Sequence, residues 1–175
     1  HWAYVDPVKN PLPKVENKSW AKHWIDHFSL SHYEREEANP APDADPVTLI
    51  RRLHFDLTGL PPKSETVDQF VQNPSPKAFS ELVNQLLESK HFGERMAIYW
   101  LDLVRYADTV GYHGDQPHNI SPDRDWVINA FNQNMPFDQF TREQLAGDLL
   151  PGSTTQQKVA SGYNRLLQTT HEGGL

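Results

Sequence analysis

Three groups of residues in this chain have types and spacings that could do chemistry. The first is the set of histidines His113, His118 and His171, two of them with Asp115 between them and the third beside Glu172. An imidazole in a loop can ligate a metal or give one axial nitrogen to a haem iron, with a nearby carboxylate fixing its tautomer. The second is Asp102, Arg105 and Asp108, at successive steps of three. On a continuous helix that spacing stacks the guanidinium between two carboxylates, an ion-pair ladder tying the helix to the loop after it. Asp102, Asp108 and Asp125 are also the carboxylates open to acid and base roles, although an Arg partner lowers a carboxyl's pKa and makes it a poor general base. The third is His23 and His27, an i, i+4 pair that could face one metal, with a polar helix face beside Trp24 and Phe28 as the simpler reading. His54, between Leu53 and Phe55, reads as a packed histidine with one hydrogen bond.

The elements that must position these groups are helical. Apolar residues recur at i, i+3, i+4 and i+7, and helix starts are marked by a capping residue, often with Pro next. Ser19 precedes Trp20, Trp24 and Phe28; Asp45-Pro46 precedes Leu49, Ile50, Leu53 and Leu57; Ser64 precedes Val67 and Phe70. Ser75-Pro76 leads into Phe79, Leu82 and Leu86, and a long element over about 92–107 carries Trp100, Leu103 and Val104 inward. Ser121-Pro122, Met135-Pro136 and Ser153 open three more. No segment alternates with period two for long enough to make a strand. The fold class is all-α, a compact domain of about seven or eight short helices with an extended Pro-rich N-terminal arm. The arm is expected over 1–18, the helical domain over 19–168, and a junction to a downstream segment over 169–175. Trp100, Leu103, Trp126, Phe131, Phe137 and Phe140 are expected to share one core. The twelve-residue stretch 109–120, rich in Gly, His and Asp, joins two strongly periodic helices and is the place where function is expected to sit.

Composition removes several classes. The chain of 175 residues has 16 Lys and Arg against 23 Asp and Glu, a formal charge of −7. It lacks the clustered basic charge that grips phosphates, so nucleic acid is not an expected partner. With no cysteine it holds no disulfide, thiolate zinc site or covalently attached haem of its own. No apolar run approaches the roughly 18–20 residues that span a bilayer. The absence of an initial Met, a signal peptide and an obvious terminus reads as a piece of a longer polypeptide.

Several motifs taken together resemble a known family. They are Asp56-Leu57-Thr58-Gly59-Leu60-Pro61-Pro62, Gly93-Glu94-Arg95, the run from Trp100 to Asp108, Gly111-Tyr112, Arg124-Asp125-Trp126, Met135-Pro136-Phe137-Asp138, and Gln144-Leu145-Ala146-Gly147-Asp148-Leu149-Leu150-Pro151. Nearly the whole chain resembles the planctomycete cytochrome-c-associated domain of uncharacterised exported bacterial proteins. In that family a Cys-x-x-Cys-His segment usually follows the domain, and the present chain lacks it. The resemblance implies a helical module of a larger exported, periplasmic or surface protein, packing against a haem-bearing downstream segment in a redox-associated role. It implies haem c on that segment, the downstream polypeptide and a redox partner as partners, and His113, His118 or His171 as an axial or pocket residue. The alternatives are an extracytoplasmic enzyme acting on complex polysaccharides, with Asp102, Asp108 or Asp125 as acid and base, and a structural or carbohydrate-binding surface module.

Overall fold

A computed structural model describes residues 2–110 and 115–166. Among them are eight α-helices and short 3₁₀ turns, and the single β feature is an isolated bridge between Thr109 and Pro117. The all-α expectation holds. The chain divides into two compact units, His1–Ala44 and Asp45–Leu175.

The first unit contains the Pro-rich segment and helix α1, Trp24–Arg35. The Glu34 carboxylate accepts the backbone N–H of Glu16 (2.9 Å) and of Asn17 (3.2 Å), which fastens the segment to the helix. Helix α1 begins four residues later than Ser19 would place it. His23 is the N-cap, and the Asp26 carboxylate accepts the N–H groups of His23 (2.8 Å) and Lys22 (2.9 Å). Those bonds satisfy donors that a helix start leaves orphaned, and they lower the Asp26 pKa.

In the second unit, two helices start where the sequence places them. Asp45 caps α2 (Pro46–Thr58) by accepting the Thr48 N–H (3.0 Å), and Ser75 caps α4 (Pro76–Leu87) through Ala78 (3.1 Å). Between them lies α3 (Ser64–Gln72). Ile50, Phe70, Leu82 and Leu86 are buried together as an aliphatic core with one aromatic. Gly59 ends α2 in the left-handed region at φ 70°, which glycine adopts without a Cβ penalty.

Helices α5 (Lys90–Leu103) and α6 (Ser121–Asn132) are antiparallel partners joined by the long loop. They approach closely at Gly93, where a Cβ would run into the Ile128 carbonyl and the Asn132 side chain. The Gly93 N–H donates to Asn132 Oδ1 (2.7 Å), and Asn132 Nδ2 donates back to the Lys90 carbonyl (3.1 Å). Helix α7 (Phe137–Ala146), a 3₁₀ turn (Gly147–Leu149), helix α8 (Thr155–Ala160) and a second 3₁₀ turn (Ser161–Arg165) complete the unit. The last helix is shorter than its apolar pattern suggests, and Thr154 caps it in place of Ser153, accepting the Gln157 N–H (3.2 Å).

The second core gathers Ala97, Trp126, Val127, Ala130, Phe140 and Ala160, with Trp100 and Phe131 packed against it. Phe140 is its centre, edge-on to Trp100 at 5.0 Å and tilted against Trp126 at 5.2 Å and Phe131 at 5.9 Å. Two of the six expected members are not inside: Leu103 is 71% exposed and Phe137 72%. Each occupies the terminal position of its helix, where no further turn of that helix covers it.

Candidate functional site

Gln144, on α7, joins four helices by side-chain hydrogen bonds. Its Oε1 accepts the Trp100 indole N–H from α5 (2.9 Å). Its Nε2 donates to Asp123 Oδ1 on α6 (2.9 Å) and to the Ala160 carbonyl at the end of α8 (3.0 Å). Indole nitrogen is a donor only, so the amide has one orientation that serves all three partners. Both Asp123 and Gln144 are at most 2% exposed.

Asp123 is only partly satisfied. Its Oδ2 is buried without a hydrogen-bond partner among the described residues. Burial pushes its carboxyl up to about 6, against the opposing pull of the Gln144 hydrogen bond and the Tyr163 backbone N–H. Desolvation outweighs the favourable position of a carboxylate in the first turn of a helix. Asp123 lines a cavity of about 260 Å³ together with Asn119, Ile120, Lys158, Ser161, Gly162 and Arg165. Gly162 packs closely on Asp123, since a Cβ there would sit 3.2 Å from Asp123 Cβ.

A second cluster lies at the base of the long loop. The Tyr106 hydroxyl donates to Asp108 Oδ1 (2.5 Å), and burial together with that bond pushes the phenol up to about 12. Arg124 pairs with Asp125 (2.9 Å), which raises the guanidinium pKa; Tyr106 and Asp108 act on it in the same direction. The loop closes through the His118 N–H on the Asp108 carbonyl (2.7 Å) and the Val110 N–H on the Gln116 carbonyl (3.0 Å).

The Asp102–Arg105–Asp108 ladder is not formed. Helix α5 stops at Leu103, and Arg105 adopts φ 61°, with its N–H on the Asp102 carbonyl (3.1 Å) and the Tyr106 N–H on the Leu101 carbonyl (2.9 Å). That is a Schellman stop with arginine in the position glycine usually takes. The helical phase assumed for Arg105 and Asp108 ends before either residue, and Asp108 pairs with Tyr106. Asp102 stays exposed on the last turn of α5, apart from the pair Asp108 and Asp125, which share the Tyr106–Arg124 neighbourhood.

His118 is half-buried at the loop base, whereas His113 and His171 lie outside the described residues. His23 is spent on capping α1, and His27 Nδ1 is buried without a partner. His54 Nε2 likewise has no partner, so the one hydrogen bond expected of that ring is missing at Nε2; burial lowers its pKa. Among the described residues no group of three His, Asp or Glu side chains is placed to hold a metal ion, and no helix is long and apolar enough to cross a membrane.

Sequence reasoning missed Asp123 and Gln144. A signal for the first was present: Asp123, Trp126, Val127 and Ala130 fall at i, i+3, i+4 and i+7, so the carboxylate lies on the inward stripe of its own helix.

The fold and site define an all-α domain whose helices are joined by a buried amide–carboxyl–indole network. By sequence it belongs to the PSCyt2 family, described as a protein of unknown function (DUF1549), whose model matches residues 24–175. No curated protein and no solved structure matches the chain.

Proposed function

We propose that this chain is a helical module of a larger exported cytochrome-c-like protein, and that it packs against a segment of the same polypeptide carrying haem c. The observation that carries this reading is an open aromatic seat in the family domain. Phe92, Trp100, Phe131, Met135, Phe137 and Phe140 line a cavity of about 280 Å³, with Phe137 largely in solvent at its edge. A solvated phenylalanine beside an aromatic hollow is the kind of surface that an apolar segment covers on docking. The motif resemblance supplies the haem and the location, since c-type haem is attached outside the cytoplasm in the periplasm or at the cell surface. His118, with His113 and His171, is the source of an axial or pocket nitrogen, and a redox protein is the external partner.

The test is the absorbance spectrum of the full-length protein, with each of the three histidines replaced by Ala in turn. Soret and α bands are expected, shifted in the variant that removes an axial ligand. Absence of haem bands overturns the reading. Unshifted bands in all three variants leave packing as the domain's contribution, and Phe137→Asp should then expose the haem segment to protease.

A second reading, an extracytoplasmic enzyme on complex polysaccharides, draws support from Asp108 and Asp125 acting on the same Arg124 and Tyr106. Release of reducing ends from a polysaccharide, lost in Asp108→Asn and Asp125→Asn, is its expected signature.

A further inference from the structure

In the first unit, helix α1 turns its large apolar side chains outward. Trp24, Ile25 and Phe28 fall within about 100° of one another around the helix axis. All three are exposed, whereas Leu30 on the opposite side is buried. A helix of a globular domain ordinarily points such a stripe at its core. Trp24 and Phe28 meet edge to face with ring centroids 6.3 Å apart, and with Val8, Lys9, Pro11 and Leu12 they line an open groove of about 900 Å³. Val8 is 75% exposed and Leu12 51%, so the Pro-rich segment borders the rings without covering them. We propose that this face attaches the protein to an anionic lipid bilayer, with Trp24, Ile25, Phe28, Val8 and Leu12 entering the boundary between headgroups and acyl chains and the neighbouring lysines pairing with lipid phosphates.

Charge selects this partner. Residues 8–25 carry Lys9, Lys14, Lys18 and Lys22 against Glu16 alone, in a chain whose formal charge is −7. The four lysines are exposed, and no ion pair among the described residues engages them. Two acids of the same unit are already occupied: Asp26 accepts the N–H groups of Lys22 and His23, and Glu34 those of Glu16 and Asn17. Asp43 shares a hollow with Lys22, which leaves Lys9, in the groove itself, as the cation at the rings. A basic run on an acidic chain draws that run to a negative surface and turns the remainder away from it. Tryptophan is favoured at a membrane–water boundary because its ring is apolar and its N–H stays wet. A lysine stem can lie along the same apolar surface while its ammonium reaches the phosphates. A purely apolar partner would leave Lys9 unanswered, and a soluble acidic one would leave the rings in water. The unit lies on the bilayer and does not cross it, and the attachment does not depend on a haem-bearing segment.

The test is flotation of the full chain with vesicles of phosphatidylcholine, alone or with about one third phosphatidylglycerol, at about 0.05 M and about 0.5 M salt. Binding is expected to the mixed vesicles at low salt, and to fall roughly tenfold or more on pure phosphatidylcholine or at high salt. Trp24→Ser combined with Phe28→Ser, on exposed side chains that leave Leu30 in place, should weaken it roughly tenfold or more. Lys9→Gln should weaken it about fivefold on the mixed vesicles while leaving thermal melts unchanged. Equal binding to both kinds of vesicle, binding to neither, or full binding by the Trp24 and Phe28 double variant overturns the proposal. So does a concentration-dependent dimer that forms without lipid and is lost in the double variant, since the face would then belong to a second copy of the chain.

Discussion

Helices α2 to α4 and helices α5 to α8 are built by the same local rules yet hold together differently. The first group closes on Ile50, Phe70, Leu82 and Leu86, with capped helix starts at Asp45 and Ser75. The second closes on aromatic rings, but buries an aspartate, a glutamate and a glutamine beside them. Glu143 is held there by the amides of Gln139 (3.0 Å) and Gln157 (3.2 Å). An apolar core is indifferent to which protonation state the solvent imposes, whereas a buried carboxyl makes stability a function of pH. The difference gives the second group a stability that depends on the protonation of a buried carboxyl.

The sharpest break comes from Phe70→Ala, expected to cost about 3–5 kcal/mol in urea denaturation by leaving a cavity in the apolar core. Its cost should be the same at pH 5 and pH 7.5. Gln144→Leu should cost about 2–3 kcal/mol, because the Trp100 indole N–H, the Ala160 carbonyl and Asp123 Oδ1 all lose their partner in a buried place. A cost below about 1 kcal/mol would mean that the network contributes little beyond its packing.

Asp123→Asn tests the sign. The folded carboxyl is raised to about 6 from an ordinary value of 3.8. Below about pH 4 both states hold the proton. Between about 4 and 6 the folded state keeps a proton that the unfolded chain has lost, so stability falls as pH rises through that window and is level above it. The Asn variant should lack that fall and gain about 1–2 kcal/mol at pH 7, measured by thermal melts across pH. His54 in the first group has the opposite sign: its lowered pKa means that the unfolded chain takes the proton first, so stability is lost as pH falls below about 6.5. His54→Gln should flatten the acid side of the curve and leave the Asp123 slope untouched.

The smallest effect is expected at Arg105. Replacing it with Gly removes the penalty of a left-handed arginine and should add about 0.5–1 kcal/mol in the same melts. A loss instead would show that the arginine side chain has a structural role beyond its backbone.

How much of this was legible in sequence differs residue by residue. Asp45-Pro46 and Ser75-Pro76 announce their helices because capping is local, settled within four residues. Ser19 misled because Asp26, further along, offers a better acceptor to the N–H groups at His23. Leu103 and Phe137 have the right helical phase for the core, but phase says nothing about where a helix ends, and at a terminus no further turn of the helix covers the inward stripe. The same blindness produced the Arg105 ladder. Asp123 and Gln144 lie on inward stripes; polar residue type argued for the surface, and only the meeting of four helices supplies the partners that let them stay inside.

The clasp between Gly93 and Asn132 has a consequence for hydrogen exchange. Amides in the opening turn of a helix ordinarily trade their hydrogens with water quickly, because fraying at one end exposes them without disturbing the rest. The Gly93 amide is held instead by a side chain on the far end of another helix. It can exchange only when α5 and α6 part, so its deuterium uptake should run with the slowest amides of the helix pair, well behind those of Lys90 and His91 beside it. One peptide signal would then report how often α5 and α6 let go of each other.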